Sequence, residues 1–450
     1  LIAVGVAVIS VIVAWSYFDE AFPEAHIRFD VDKATSESRA EAFLESQGLS
    51  TTRYMHASIF DYDNQTKIYL ERTFGLERAN ELMSDEIKVW RWSHRWYQSQ
   101  EKEEFQVDIS PQGAVTFFDH VIEEDAGDIN LPRAKAEVLA YNFLTEELNR
   151  SAANIRFVEH ASTKLPNRTD HTFTWERTDL QFNGSAYRYD VTIKGDLLGT
   201  YKEYLQIPEA WSRDYQQLRS ANTTAGTVAS FFLLLTGAAM LIVLILKARL
   251  SDVKWKTALI FGVIAFVLTL GTQLNQIPLT LFNYDTTDSY GNFITQEILL
   301  TLLQALMSGG GILFLTAAAE PLYRERYGDK LSLSGAFTLR GIKTKKFFIA
   351  VVIGLVLTCF FVAYQTVFYL VSTKFGAWSP ADVPYSDLLN TAVPWIFVLL
   401  MGFFPSVSEE FMSRMFSIPF LEKYIKVRWL AVLIPAFIWG FGHAAYPNQP

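Results

Sequence analysis

Residues 347–371 read FFIAVVIGLVLTCFFVAYQTVFYLV, a run without one charged side chain. About 20 consecutive apolar residues are enough for an α-helix to cross the hydrocarbon core of a bilayer. Buried helices of a large soluble protein are the alternative, but so many runs without internal charge make that alternative unfavourable. We therefore predict a multi-pass α-helical membrane protein that has the lipid bilayer as a partner. The other apolar runs are Leu1–Phe18, Val228–Leu246, Ala258–Leu274, Ile298–Ala319, the interrupted Leu388–Pro419, and Trp429–Tyr446.

Composition and charge narrow the class further. Of the 450 residues 50% are hydrophobic and 19% are charged, whereas roughly 25% are charged in ordinary globular proteins. Disorder and a small disulfide scaffold are excluded, since apolar residues abound and Cys359 is the single cysteine. The net charge of -9 argues against a nucleic-acid partner, which requires a basic surface. Residues 18–222 contain 36 acidic and 23 basic side chains, and we predict a separate water-soluble domain there.

Basic residues in the loops predict the orientation of the chain. Loop 275–293 has neither Lys nor Arg, whereas the loops on either side of it are basic. Cytoplasmic loops carry the excess of Lys and Arg, so we predict a cell-membrane protein with residues 18–222 outside the cytoplasm. Leu1–Phe18 lacks an A-x-A-like cleavage site and is predicted to be an uncleaved anchor. The basic residues are Lys247, Arg249, Lys254 and Lys256 in one loop, and Arg324, Arg326, Lys330, Arg340, Lys343, Lys345 and Lys346 in the other.

One pattern occurs twice within the acidic segment. A helix-like stretch at Ser36–Gly48 precedes β-rich sequence that ends in Phe105–Phe118, and a second at Pro132–Leu148 precedes β-rich sequence that ends in Tyr187–Tyr201. Both endings alternate apolar and polar residues around a glycine turn, which is typical of an antiparallel hairpin with one wet face. The repeat resembles PepSY-like modules. The aromatic and basic stretch Trp90–Tyr97 predicts a strand with buried aromatics, and a ligand-binding face is the alternative.

Ionisable residues inside membrane spans are costly, so each is a functional candidate. The stretch SEEFMSR, residues 408–414, follows an apolar run. On a helix Glu410 and Arg414 share a face and can pair, while Glu409 points about 100° away. Two adjacent carboxylates in a low-dielectric site do not both ionise easily without a compensating cation. We therefore expect Arg414 to supply that charge and one carboxylate to act as a base.

His443 is the second candidate and the only histidine beyond residue 222. A polar turn is predicted near Lys426, and Glu409 lies 17 residues before Lys426 while His443 lies 17 residues after it. Equal offsets in an antiparallel helical hairpin place two residues at equal height, so we expect Glu409 and His443 to lie level. Taken alone, paired glutamates at a helix end are usually a solvated cap, and a lone membrane histidine is often only a helix contact. Their matched offset favours a site.

Glu409-Glu410-x-x-x-Arg414, followed about thirty residues later by an aromatic residue, three others and His443, resembles the motifs of the CPBP (Abi) intramembrane proteases. That family includes the type II CAAX prenyl endopeptidases. The resemblance implies an endopeptidase that hydrolyses a peptide or membrane-protein substrate, with Glu409 activating water and His443 assisting. Trp439 stands where the family usually has Phe. The family's third motif, a second His with Asn or Asp four residues on, does not occur before Pro450.

A Zn²⁺ cofactor held by Glu409 and His443 is left open, because a catalytic zinc site requires three protein ligands and a water. The H-E-x-x-H motif of the soluble zincins does not occur. The alternative function is a non-catalytic membrane protein of the same fold with a self-immunity, chaperone or receptor role. A transporter would need broken helices in both halves, and Gly309-Gly310-Gly311 is one candidate break without a counterpart.

These expectations combine into a multi-pass α-helical membrane protein with a large α+β extracytoplasmic domain inserted after its first transmembrane helix. The predicted segments are 1–18, a truncated N-terminal transmembrane helix; 18–222, the extracytoplasmic domain with its two repeats; 223–346, transmembrane helices and cytoplasmic basic loops; and 347–450, a CPBP-like catalytic membrane core truncated at its C-terminal end.

Overall fold

The computed structural model describes residues 2–127, 129–182, 184–328, 333–336, 338–375 and 387–444. Its helices are α1 (Ile2–Ala21), α2 (Lys33–Ser46), α3 (Asn64–Phe74), α4 (Leu76–Glu81), α5 (Arg133–Asn142), α6 (Glu209–Arg249), α7 (Trp255–Thr280), α8 (Tyr290–Tyr327), α9 (Leu333–Ala336), α10 (Leu339–Ile342), α11 (Lys345–Ser372), α12 (Trp395–Glu409), α13 (Ile418–Tyr424) and α14 (Arg428–His443). Its strands are β1 (Met55–Tyr62), β2 (Trp90–Tyr97), β3 (Glu104–Ile109), β4 (Val115–Val121), β5 (Ile155–Lys164), β6 (Thr169–Phe182), β7 (Ser185–Lys194) and β8 (Leu197–Gln206).

Among the described residues, six helical segments are long and apolar enough to cross a membrane. They are Ile2–Ala21, Glu209–Arg249, Trp255–Asn283, Tyr290–Tyr327, Lys345–Ser372 and Trp395–Tyr424. The prediction of a multi-pass membrane protein is confirmed. The last predicted run, Trp429–Tyr446, corresponds to α14, whose 16 residues rise about 24 Å, less than the hydrocarbon thickness of about 30 Å. Residues 445 and 446 lie outside the described residues.

The strands form one eight-stranded antiparallel sheet with the order β1-β2-β3-β4-β8-β7-β6-β5. Each half has a helix before its four strands, the first half also has α3 and α4 between β1 and β2, and β4 pairs with β8 to join the halves. The hairpins expected at the two glycine turns are present as β3–β4 and β7–β8. The two halves also meet through their helices, where the ring centroids of Phe43 on α2 and of Phe143, just after α5, lie 6.3 Å apart. The likeness to PepSY modules stays a prediction.

Strand β2 coincides with the aromatic and basic stretch of the sequence. It pairs with β1 on one side and with β3 on the other, so it lies inside the sheet. Trp90, Trp92 and Trp96 are buried at 4%, 7% and 1% exposure. The prediction of a strand with buried aromatics is therefore confirmed. Its Arg95 donates hydrogen bonds of 2.8 Å to the carbonyls of Phe282 and Tyr284, in the loop between α7 and α8.

The sheet domain rests on that loop, and Tyr284 is fully buried against Tyr97 of β2. The domain and the loop free of Lys and Arg therefore lie on the same side of the membrane helices. The basic loops meet at the other end of the same helices. Arg324 of α8 pairs with Asp252 after α6 at 2.8 Å, and Lys423 of α13 pairs with Glu325 of α8 at 3.1 Å.

Helices α7 and α8 approach each other through two glycines. A Cβ added to Gly262 would lie 2.8 Å from the carbonyl oxygen of Gly309, and a Cβ added to Gly309 would lie 2.8 Å from that of Gly262. Small residues at such contacts let membrane helices pack backbone to backbone. Helix α8 runs without interruption from Tyr290 to Tyr327. The expectation of a helix break at Gly309-Gly310-Gly311 is therefore wrong, because Gly309 serves helix packing.

Candidate active site

A π-helical segment, Glu410–Ser417, joins α12 to α13. Pro419 near the start of α13 has no N–H to donate to a preceding turn, and the Ser417 hydroxyl donates to the Met412 carbonyl at 2.7 Å. These features accompany the wider turn, and single π turns inside helices occur frequently at functional sites. The chain nevertheless continues from Trp395 to Tyr424 as one helical segment that is long and apolar enough to cross a membrane. Pro419 therefore does not destroy the helical register that the offset argument requires.

The inner face of this turn is packed into the helical bundle. Phe411, Met415 and Phe416 are buried at 6%, 5% and 1% exposure. They belong to a hydrophobic cluster that also includes Phe261 of α7 and Ile312 of α8. Because apolar side chains of the turn fill this core, the acidic side chains lie on the outer face of the turn.

Glu410 and Arg414 form the ion pair that their spacing predicts. Nη1 of Arg414 donates to both carboxylate oxygens of Glu410, each at 2.7 Å. The Glu410 side chain is 45% exposed and that of Arg414 is 71% exposed. The pairing is as expected, and the expectation of a low-dielectric site around it stays a prediction. The pair lies on the surface of the described bundle, because the buried side of the turn is occupied by aromatic residues.

Glu409 and His443 come together across α12 and α14. Oε1 of Glu409 lies 4.0 Å from Nε2 of His443. The expectation that the two residues lie level is met, since the turn between α13 and α14 falls at 425–427 and includes Lys426. A separation of 4.0 Å is too long for a direct hydrogen bond and has the length that one bridging water spans.

Trp439 contacts both members of this pair, a role that its sequence context does not reveal. Its indole Nε1–H donates to Oε2 of Glu409 at 2.9 Å. Its backbone carbonyl accepts a hydrogen bond from Nδ1 of His443 at 2.8 Å. Because a carbonyl only accepts, Nδ1 of His443 carries a proton, and Nε2 is the nitrogen that faces Glu409. The one available signal was the tryptophan at a position where the family usually has phenylalanine.

These side chains offer few ligands for a zinc ion. Glu409 and His443 are the two candidate ligands that come together, and Glu410 is engaged by Arg414. Within the described residues no group of three or more His, Cys, Asp or Glu side chains is arranged to hold a metal ion. The described donors do not complete the three-ligand set of a catalytic zinc. Zinc stays a prediction.

The sheet domain contains two histidine pairs at matching places in its halves. Nε2 of His56 on β1 lies 3.1 Å from Nδ1 of His94 on β2, and Nε2 of His160 on β5 lies 3.0 Å from Nδ1 of His171 on β6. His94 is fully buried and also contacts the hydroxyl of Ser36 at 2.9 Å. Burial lowers the pKa of His94 to about 3. These pairs lie in the sheet domain, apart from the acidic and histidine residues of α12 and α14.

The described fold and site define a multi-pass membrane protein with a carboxylate–histidine pair at the surface of its C-terminal helices. Residues 391–449 match the model of the family described as type II CAAX prenyl endopeptidase Rce1-like. Over this segment the chain is similar to that family, and the resemblance to the CPBP proteases is confirmed. The match includes Glu409, Glu410, Arg414 and His443, and the family supports a protease. Comparison with curated proteins and with solved structures finds no match.

Proposed function

We propose that this protein is an intramembrane endopeptidase that uses Glu409 and His443 to activate water. The observation that carries the proposal is the 4.0 Å approach of the Glu409 carboxylate to the His443 imidazole within the family segment. A water that hydrogen-bonds to both groups at about 2.8 Å fits between them. The substrate is a peptide or membrane protein, and the family's name makes a prenylated C-terminal peptide the first substrate to test.

The chemistry assigns one role to each residue. Glu409 accepts a proton from the water while the water oxygen attacks the carbonyl carbon of the scissile peptide bond. The same proton then passes to the leaving amide nitrogen as the carbon–nitrogen bond breaks, which gives a carboxylic acid and an amine. Nε2 of His443 orients the water by accepting a hydrogen bond from it. The developing oxyanion requires hydrogen-bond donors, which the resemblance assigns to the family's third motif.

The arrangement of the Glu410–Arg414 pair supports a site that water reaches. Glu409 lies near the middle of the Trp395–Tyr424 span, and the adjacent ion pair is exposed on the bundle. Ionisable side chains at membrane depth face a water-filled cavity or other protein. We propose further that the sheet domain lies outside the cytoplasm of a cell-membrane protein, as the charge of the loops indicates.

Cleavage by the full-length protein in detergent tests the proposal. Glu409→Gln preserves size and removes the base, and His443→Ala removes the imidazole, so each is expected to lower the rate about 10²–10⁴-fold. Matched controls are Glu297→Gln on α8 and His26→Ala beside the sheet domain, which are expected to retain activity. Thermal melting establishes that each variant is folded. Full activity of Glu409→Gln would exclude this mechanism, and a folded protein with no activity on any peptide would favour the non-catalytic alternative.

A further inference from the structure

Trp439 hydrogen-bonds to both candidate catalytic residues, Glu409 and His443. Its indole N–H binds Oε2 of Glu409 at 2.9 Å, and its carbonyl binds Nδ1 of His443 at 2.8 Å. Its ring also packs on the imidazole with the centroids 4.3 Å apart. One residue of α14 therefore contacts the base on α12 and the histidine one turn further along its own helix.

The hydrogen-bonding capacities of these groups give the contacts a direction. An ionised carboxylate only accepts hydrogen bonds, and an indole only donates one. The terminal torsion of a glutamate is broad and roughly two-fold, so an unrestrained carboxylate samples many orientations. The indole fixes Oε2 of Glu409 and thereby leaves Oε1 directed at Nε2 of His443, at 4.0 Å. The carbonyl of Trp439 likewise fixes the proton of His443 on Nδ1.

We propose that Trp439 is a positioning residue that orients Glu409 for water activation through its indole N–H. The inference rests on the proposed function and deepens it, because it says which atom of the carboxylate works on the water. Phenylalanine, the usual residue of the family at this position, has no donor. The hydrogen bond across α12 and α14 is therefore specific to a tryptophan here, and Oε1 is assigned as the atom that accepts the proton.

The matched substitution is Trp439→Phe, which keeps an aromatic ring beside His443 and removes the donor. If the indole only fills space, phenylalanine leaves turnover nearly unchanged. If it orients Glu409, kcat falls about 10- to 100-fold while KM stays the same, because a small misplacement of a catalytic group lowers the rate by about that much. Trp429→Phe is the control, since Trp429 lies on the same helix and is 61% exposed.

A spectroscopic measurement tests the hydrogen bond without any substrate. The ultraviolet resonance Raman band of the indole N–H shifts with hydrogen bonding, and the difference between wild type and Trp439→Phe isolates this one indole. We expect the band of a bonded N–H in wild type and its shift toward a free N–H in the Glu409→Ala background. Trp429→Phe should give the same difference spectrum in both backgrounds.

The two measurements separate the inference from the proposed function. A Trp439 band that is unchanged by Glu409→Ala overturns the inference whether or not the protein cleaves peptides. A band that shifts as expected, together with unchanged kcat in Trp439→Phe, overturns the positioning role and leaves the protease intact. A shifted band without any peptide cleavage by wild type refutes the proposed function and retains the hydrogen bond.

Discussion

Asn275 of α7 holds the start of the helix that carries Glu409, and its removal is expected to destabilise the membrane bundle. Its Nδ2 donates to the Thr391 hydroxyl at 2.8 Å and to the Val393 carbonyl at 3.0 Å, and its Oδ1 accepts from the Val393 N–H at 2.9 Å. The three bonds lie just before Trp395, where a helix has unsatisfied backbone donors. Side-chain hydrogen bonds in membrane proteins average about 0.6 kcal/mol and in proteins generally about 1 kcal/mol. Asn275→Ala should therefore lower the free energy of unfolding by about 2–3 kcal/mol.

Gln273→Ala is the matched control, because Gln273 lies on the same helix and makes one bond, to Gln304 at 2.7 Å on the exposed side. It should cost about 0.6 kcal/mol. Reversible unfolding of the full chain in mixed micelles with increasing SDS measures both free energies. Asn275→Ala should also lower the rate of cleavage, since the start of α12 is released. An unfolding free energy for Asn275→Ala equal to that for Gln273→Ala would refute the reasoning.

Three further predictions concern packing, pH and orientation. Gly262→Val should lower the free energy of unfolding of the bundle by about 1–3 kcal/mol, because its Cβ would lie 2.8 Å from a facing backbone oxygen on α8. Gly237→Val is the control, since a Cβ there meets nothing within 4 Å. It should lower the same free energy much less in the same unfolding assay. Burial lowers the pKa of His94 from 6.5 to about 3. The contribution of the neutral imidazole to stability is therefore complete above pH 6.5 and is lost as the pH falls toward the pKa of the folded state. Between pH 7 and pH 4 the melting temperature of His94→Gln should fall less than that of wild type. A tag at Asn64 should be reachable from outside intact cells and a tag at Lys343 should not, and the opposite result would overturn the orientation.

Much of the fold is predictable because the bilayer and the sheet impose simple periods on the sequence. Apolar runs of about 20 residues have few alternatives to membrane helices, and six helical segments of the described residues are long and apolar enough to cross a membrane. Alternation around the glycine turns correctly predicts the hairpins β3–β4 and β7–β8. The Glu410–Arg414 pair follows from its spacing alone. Equal offsets from Lys426 are enough to bring Glu409 level with His443.

Other features depend on which side chains face each other after folding, and a linear pattern does not contain that information. Trp439 differs from phenylalanine only by its donor, and that donor matters only because the α12 carboxylate lies 2.9 Å away. Gly309 suggests a helix break until the facing Gly262 is known. The exposed position of Glu410 was not evident, because the sequence shows that the acids share a turn with aromatic residues but not which face of that turn enters the core.

The exposed position of the ion pair bears directly on how the site could work. Arg414 and Glu410 lie on the outer face of a segment that is otherwise apolar enough to cross a membrane. Contact with acyl chains alone would leave this pair without the solvation that its charges require. Water or further protein must therefore border the face, and Glu409 and His443 lie beside it. A hydrolase that acts within a membrane has to deliver water to a bond held in lipid. In the proposed mechanism the charged outer face of the π-helical turn would retain water beside Glu409, while the packed inner face fixes the turn in the bundle.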